Sequence, residues 1–233
     1  MRMIHLFLSI AILFSCDPTE GEVTPMNPVE VQPETYLALG DSYTIGQSVE
    51  EKFRWPNILQ DSLELRGIDY LEPQIIAKTG WRTDQLKEAA VAGAPGTGYG
   101  LVSLLIGVNN QFQGRSSSEY AVEFEDLLKF VIEKAGGRKE RVIVLSIPDY
   151  GCTPFGSSRA EQIGKAIDEF NAINKEITDR YEVLYFDITP ISREGKDDPS
   201  LVASDNLHPS GEQYGRWVTE VMKSSEFLEN LAR

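Results

Sequence analysis

The sequence is short of the residues from which several kinds of site are built. It has only two cysteines, Cys16 and Cys152, and two histidines, His5 and His208. So few thiols exclude a disulfide framework, and so few thiols and imidazoles exclude a Cys/His zinc cluster. Basic residues are scarce beside acidic ones, 22 Lys and Arg against 36 Asp and Glu, for a formal net charge of −14. A chain so charged repels nucleic-acid phosphates and anionic headgroups, so nucleic acid is not an expected partner. No internal repeat is visible, and the apolar run from Ile4 to Phe14 is too short to span a bilayer comfortably.

That run follows Arg2 and precedes Ser15-Cys16, the pattern of a signal peptide over residues 1–15. Leu13-Phe14-Ser15-Cys16 resembles the lipobox of bacterial lipoproteins. The resemblance implies cleavage before Cys16, lipidation of Cys16, and a lipid anchor holding the protein at a bacterial cell envelope, periplasmic or cell-surface. Phe14 departs from the small residue usual at its lipobox position, and the other reading is an ordinary secretory signal and a secreted protein. Residues 16–34 carry Pro18, Pro25, Pro28 and Pro33 among acidic residues and read as a semi-rigid tether. Residues 35–233 are then one domain with a sizeable core. With His5 in the segment expected to be removed, His208 is the one imidazole left to it.

From Thr35 onward, apolar runs alternate with amphipathic stretches. Strands are predicted at Thr35–Leu39, Gln74–Ala77, Leu101–Ile106, Arg141–Ile147 and Val183–Phe186. Helices are predicted from Trp55 to Arg66, Thr83 to Ala92, Ser117 to Ala135, Arg159 to Arg180 and Gly211 to Leu228. Thr83 or Asp84 is expected near the cap of the second helix, Ser118 as the N-cap of the third, and Gly136-Gly137 as its end. Strictly alternating strands and helices predict an α/β fold, a parallel sheet covered on both faces, with every strand's carboxyl end on one edge.

Four loops on that edge carry groups chemistry could use: Gly40-Asp41-Ser42-Tyr43, Thr79-Gly80-Trp81, Gly107-Val108-Asn109-Asn110, and Ser204-Asp205-Asn206-Leu207-His208-Pro209. A serine hydroxyl becomes a nucleophile only when a base takes its proton, and imidazole is the side chain whose ordinary pKa suits that task. Asp205 stands three residues before His208, a spacing that one tight turn brings to the same side. Each residue also has a structural use. Ser42 could cap a helix, Asp205 could be a cap, Gly80 and Asn109 could serve turns, and His208 could be a surface residue.

The four blocks, in this order and at this spacing, resemble those of the SGNH (GDSL-type) hydrolase superfamily, named for its serine, glycine, asparagine and histidine. Here these match Ser42, Gly80, Asn109 and His208, and the match runs from Thr35 to the final helix. The resemblance implies a three-layer α/β/α sandwich with a mostly parallel central sheet, flavodoxin-like in topology. It implies a cofactor-independent, metal-independent serine esterase (acylhydrolase). Ser42 would be nucleophile, His208 base and Asp205 orienting acid. The oxyanion would be met by the backbone N–H groups of Ser42 and Gly80 and by the Asn109 side-chain amide. The expected substrate is a small-molecule or carbohydrate ester carrying a short acyl group such as acetyl, since no lid or long apolar insertion is evident. Lysophospholipids or thioesters, transfer to another alcohol, and a non-catalytic binding lipoprotein of the same fold are the other readings. Oligomeric state is not legible.

Two positions depart from the family pattern. Asn110 stands where the third block often has aspartate, so the support of that loop should differ. Tyr43 stands where the first block often has leucine and is expected to pack. Asp41 is expected to organise its turn by hydrogen bonds. Gly96-Thr97-Gly98-Tyr99-Gly100 precedes a strand and lacks the lysine of a phosphate loop, so it reads as a turn. Cys152 is expected to be partly buried and inert. Trp81, Phe112, Tyr150 and Phe155 fall on carboxyl-edge loops, where they either line a pocket or pack.

Overall fold

A computed structural model describes residues 34–94 and 96–232. The expected signal, Cys16 and almost all of the tether lie outside the described residues.

In chain order the elements are β1 (Tyr36–Gly40), α1 (Ser42–Ile45), α2 (Trp55–Glu64), β2 (Gln74–Ala77), α3 (Thr83–Gly93), β3 (Leu101–Leu105), α4 (Val108–Phe112), α5 (Ser117–Lys134), β4 (Val142–Leu145), α6 (Ala160–Arg180), β5 (Leu184–Phe186), α7 (Thr189–Arg193), α8 (Gly211–Val221) and α9 (Ser225–Leu231). The strands form one five-stranded sheet in the order β2-β1-β3-β4-β5, and every pairing is parallel. Strands β1, β3 and β4 are buried along their whole length, so apolar side chains are needed on both faces. That is why they read as unbroken apolar runs. Edge strand β2 is only partly covered.

The chain steps from β1 outward to β2, then crosses back to β3 and continues to β5. With right-handed crossovers, that reversal sends α2 to one face and α3, α5 and α6 to the other. The packing follows: α2 lies against α8, while α5 touches both α3 and α6. The result is the three-layer sandwich.

Three local expectations are corrected. The helix predicted from Gly211 to Leu228 is two helices, because α8 ends at Val221 and the Ser224 hydroxyl accepts the Phe227 N–H at 3.1 Å to start α9. The N-cap of α5 is Ser116, whose Oγ accepts the Glu119 N–H at 3.2 Å, and Ser118 already lies inside the helix. Helix α3 is capped from Arg82, whose N–H donates to Gln85 Oε1 at 3.2 Å, leaving the Thr83 hydroxyl for another use. The end of α5 does fall at Gly136-Gly137, both in the left-handed region at φ 71° and 80°. Gly98 and Tyr99 donate their N–H groups to the Lys134 carbonyl at 2.7 and 3.0 Å, so the glycine-rich segment closes a helix terminus.

Candidate active site

The strand order reverses direction between β1 and β3, and the loops leaving those two strands diverge there. Open α/β sheets bind ligands at this crevice. Ser42 leaves β1 and Asn109 leaves β3, so the two flank the switch point.

Ser42 is the first residue of α1 and almost buried. Asp41, not Ser42, is the cap. Its Oδ1 accepts the Tyr43 N–H at 3.0 Å, and its carbonyl accepts the Thr44 and Ile45 N–H groups. Gly40 allows the tight exit from the strand, since a Cβ there would lie 2.1 Å from Thr44 Oγ1 and 2.6 Å from the Leu105 carbonyl oxygen. Asp41 is wholly inaccessible, and burial pushes its carboxyl up to about 7 against the lowering pull of the Tyr43 N–H.

Asn109 sits in the first turn of α4, behind Gly107 at φ 131°. Its Nδ2 donates to the Trp81 carbonyl at 3.0 Å and lies 3.5 Å from Asp41 Oδ2. Gly80 holds φ 85°, a conformation that disfavours side chains although a Cβ there would meet nothing. Its carbonyl accepts Gln113 Nε2 at 3.0 Å.

His208 reaches the site from the loop before α8. Its Nδ1 is 2.7 Å from Asp205 Oδ2, and the other carboxylate oxygen accepts the Leu207 and His208 N–H groups, both at 2.9 Å. Asn206, at φ 64°, turns the chain between them. The ring packs edge-on against Tyr43 with centroids 5.5 Å apart, so Tyr43 packs as expected. Asp205 also receives the Ser48 hydroxyl on Oδ2 at 2.6 Å. Burial opposes ionisation of Asp205, but the hydrogen bonds from Ser48, His208 and Leu207 outweigh it and hold the carboxyl well below its usual range. Such an acid stays anionic at any pH where an imidazole titrates.

Ser42, Gly80, Asn109 and His208 all line one pocket of about 220 Å³. Tyr43, Thr79, Val108, Leu207, Phe112, Tyr150 and Phe155 complete its wall. Phe112 and Phe155 are half exposed and stand 6.2 Å apart, each beside the Tyr150 ring. Trp81 packs against the core instead and contributes its carbonyl. Cys152 is partly buried, with its thiol pushed up by burial, and lines a separate cavity of about 300 Å³. It is not in the wall that Ser42 and His208 share.

Sequence reasoning missed Ser48, Thr83, Gln113 and Glu123. Ser48 comes to Asp205 across 157 residues of chain and carries no local signal. Asn110 is fully buried and joins Thr83 to Glu123. Sequence marked it only as a departure.

The family model described as GDSL-like Lipase/Acylhydrolase matches residues 38–216. No curated protein sequence matches the chain. Among solved structures, TesA is similar with a TM-score of 0.67 at 16% identity, over 85% of this chain and 99% of that one. A lipase/acylhydrolase from Enterococcus faecalis gives a TM-score of 0.63 at 17% identity, over 83% of this chain and 95% of that one. An acetyl xylan esterase from Geobacillus stearothermophilus gives 0.61 at 18% identity, over 83% and 94%. At these identities the likeness is one of fold.

Proposed function

The chain belongs to the GDSL-like lipase/acylhydrolase family and is a carboxylic ester hydrolase; from that premise we propose that it works through a Ser42-His208-Asp205 triad and releases short acyl groups, such as acetyl, from carbohydrate esters. Supporting this is one observation. Ser42, His208, Gly80 and Asn109, drawn from four loops, share a single pocket wall, with Asp205 on the far nitrogen of the imidazole.

In this reading Ser42 Oγ attacks the ester carbonyl carbon while His208 Nε2 takes its proton. Asp205 accepts the Nδ1 hydrogen, which fixes the tautomer and stabilises the imidazolium. The Ser42 and Gly80 N–H groups and Asn109 Nδ2 meet the oxyanion. His208 then protonates the departing alkoxide, and water, deprotonated by His208, releases the acyl group from Ser42. Ser42→Ala and His208→Ala should each lower hydrolysis of an aryl acetate at least about a thousand-fold. Retention of activity by either purified variant refutes the assignment.

The substrate reading is supported by the modest pocket volume and by the half-exposed rings of Phe112 and Phe155, which offer apolar aromatic surface to a sugar ring. Esterases of this fold include proteins described as acetyl xylan esterases. Rates across acyl chain lengths test it, and an optimum at long chains counts against it. We place the protein at a bacterial envelope through lipid on Cys16. Cys16→Ser should then release it from the membrane fraction, and unchanged retention there would overturn that placement.

A further inference from the structure

Asn110 adjoins one expected oxyanion donor, Asn109, and its side chain is bonded to Thr83, three residues beyond the other, Gly80. Asn110 Oδ1 accepts the Thr83 N–H at 3.1 Å. Asn110 Nδ2 donates to Thr83 Oγ1 at 2.7 Å and to Glu123 Oε2 at 3.1 Å. The Thr83 hydroxyl donates to that same Glu123 oxygen. Asn110 and Thr83 are almost wholly inaccessible, and the Glu123 side chain keeps 20% exposure. Three elements, α3, α4 and α5, thus meet at one carboxylate oxygen supplied by α5.

Asn110 Nδ2 and the Thr83 hydroxyl both donate to Glu123 Oε2, so position 110 has to supply a hydrogen there. An aspartate there would put an acceptor oxygen about 3.1 Å from Glu123 Oε2 in place of Nδ2. Two carboxylates that close cannot both ionise and must share a proton. The cluster accommodates one negative charge, and in this chain that charge sits on α5.

We infer that Asn110 and Glu123 form a matched amide–carboxylate pair that positions the oxyanion hole, fixing the loop of Gly80 against the loop of Asn109. The inference rests on the reading of Gly80 and Asn109 as oxyanion donors. Asn110 and Glu123 act through those donors and are positioning residues. The charges facing the pair are Arg115, 3.7 Å from Glu123 Oε1 and bonded to Glu119, and Arg82, which is bonded to Asp84 and attracted by Glu123. Asp41 faces Asn109 on the other side. All are common to the variants compared below.

The experiment measures kcat and KM on an aryl acetate, and thermal unfolding, between about pH 6 and 9 for wild type, Asn110→Asp, Glu123→Gln and the double variant. In Asn110→Asp, kcat at the alkaline end should fall about ten- to a hundred-fold with KM little changed, as loss of donor alignment by a fraction of an ångström implies. The deficit should narrow toward the acid end, where one proton restores the hydrogen bond. The double variant, carrying one carboxylate and one amide again, should return to within about three-fold of wild type with no pH dependence of the ratio. An Asn110→Asp profile parallel to wild type at every pH overturns the inference, as does a deficit that Glu123→Gln leaves unrepaired. If Ser42→Ala retains hydrolysis, the triad reading fails separately. The melting temperatures still report the charge pair, which requires an alkaline loss of stability in Asn110→Asp and its recovery in the double variant.

Discussion

Asp41 lies beside Ser42, the proposed nucleophile, with its carboxyl wholly inaccessible and pushed up to about 7 by burial. The perturbation that isolates it is Asp41→Asn, which keeps shape and the acceptor for the Tyr43 N–H but removes the charge. In the unfolded chain the carboxyl titrates near its ordinary value of 3.8. A group whose folded pKa is raised contributes most stability below its unfolded pKa and loses that contribution as pH rises through its folded pKa. The window here runs from about pH 4 to 7. Its full depth is the gap between those two values at 1.36 kcal/mol per unit, about 4 kcal/mol. By about pH 5 the loss is already between 1 and 2 kcal/mol, because the unfolded carboxyl is mostly ionised there while the folded one is not. Asp41→Asn carries no such loss. Its stability relative to wild type should be near zero at about pH 4 and climb by several kcal/mol, at most about 4, by pH 8. Urea unfolding of both proteins at a series of pH values measures the difference, and carboxylates common to both, such as the strongly hydrogen-bonded Asp205, cancel from it. A difference that stays flat from pH 4 to 8 refutes the reasoning, because it would mean that Asp41 ionises as readily folded as unfolded.

Ser48 combines a hydroxyl on Asp205 at 2.6 Å with a non-glycine backbone at φ 67°. Ser48→Ala and Ser48→Gly should both lower kcat about three- to ten-fold at unchanged KM, since each removes a hydrogen bond to a charged group. Ser48→Gly should in addition raise the melting temperature above that of Ser48→Ala, because only glycine relieves the left-handed strain; equal melting temperatures would show that no strain is held there. Gly107→Ala meets both a forbidden φ of 131° and contacts of 2.6 to 2.8 Å with Ile147 and Tyr120. It should destabilise the domain by about 3 kcal/mol or more, read as a lower urea midpoint, and a wild-type midpoint would contradict the packing described.

How much of this was legible in the sequence depends on the range of the interaction that fixes each feature. The parallel sheet was legible because strands buried on both faces can carry nothing but apolar residues, and Leu101–Leu105 and Val142–Leu145 do so. The bounds of β2, Gln74–Ala77, coincide with those its sequence predicts. Helix starts were less legible where several residues could do one job. Three consecutive serines, Ser116 to Ser118, all carry a capping hydroxyl, and the selection of Ser116 depends on how the chain enters from α4. The break between α8 and α9 was hidden because the apolar spacing carries on through Met222. The candidate site residues, of which Ser42, Gly80, Asn109 and His208 share one pocket wall, stand out in the sequence through their order on four loops. The groups that hold them do not, because Ser48 meets Asp205, and Thr83 meets Glu123, only through the tertiary fold.

The side chain of Asn109 connects these supports to the proposed chemistry. An amide nitrogen carries two hydrogens. One is held by the Trp81 carbonyl at 3.0 Å, which stops the amide from rotating and leaves the second hydrogen with one direction to point. Asp41 Oδ2, 3.5 Å from the same nitrogen, competes for that second hydrogen most strongly when it is ionised. A carboxyl that burial pushes up to about 7 is still partly protonated at neutral pH and competes less than a fully ionised one, which leaves the hydrogen for the proposed oxyanion. Burial of Asp41 therefore sets two quantities in opposite directions. It withdraws stability as pH rises, and below about pH 7 it lessens the competition for the hydrogen of the proposed oxyanion donor. Asp41→Asn separates them, because the variant gains stability at alkaline pH and, with its Oδ1 still accepting the Tyr43 N–H, its amide nitrogen stands where Oδ2 stood and cannot accept the second Asn109 hydrogen. A more stable Asp41→Asn protein whose kcat relative to wild type rises between about pH 6 and 8 follows from this geometry, and a more stable protein whose kcat ratio is unchanged across that range would show that the second Asn109 hydrogen is not shared with Asp41.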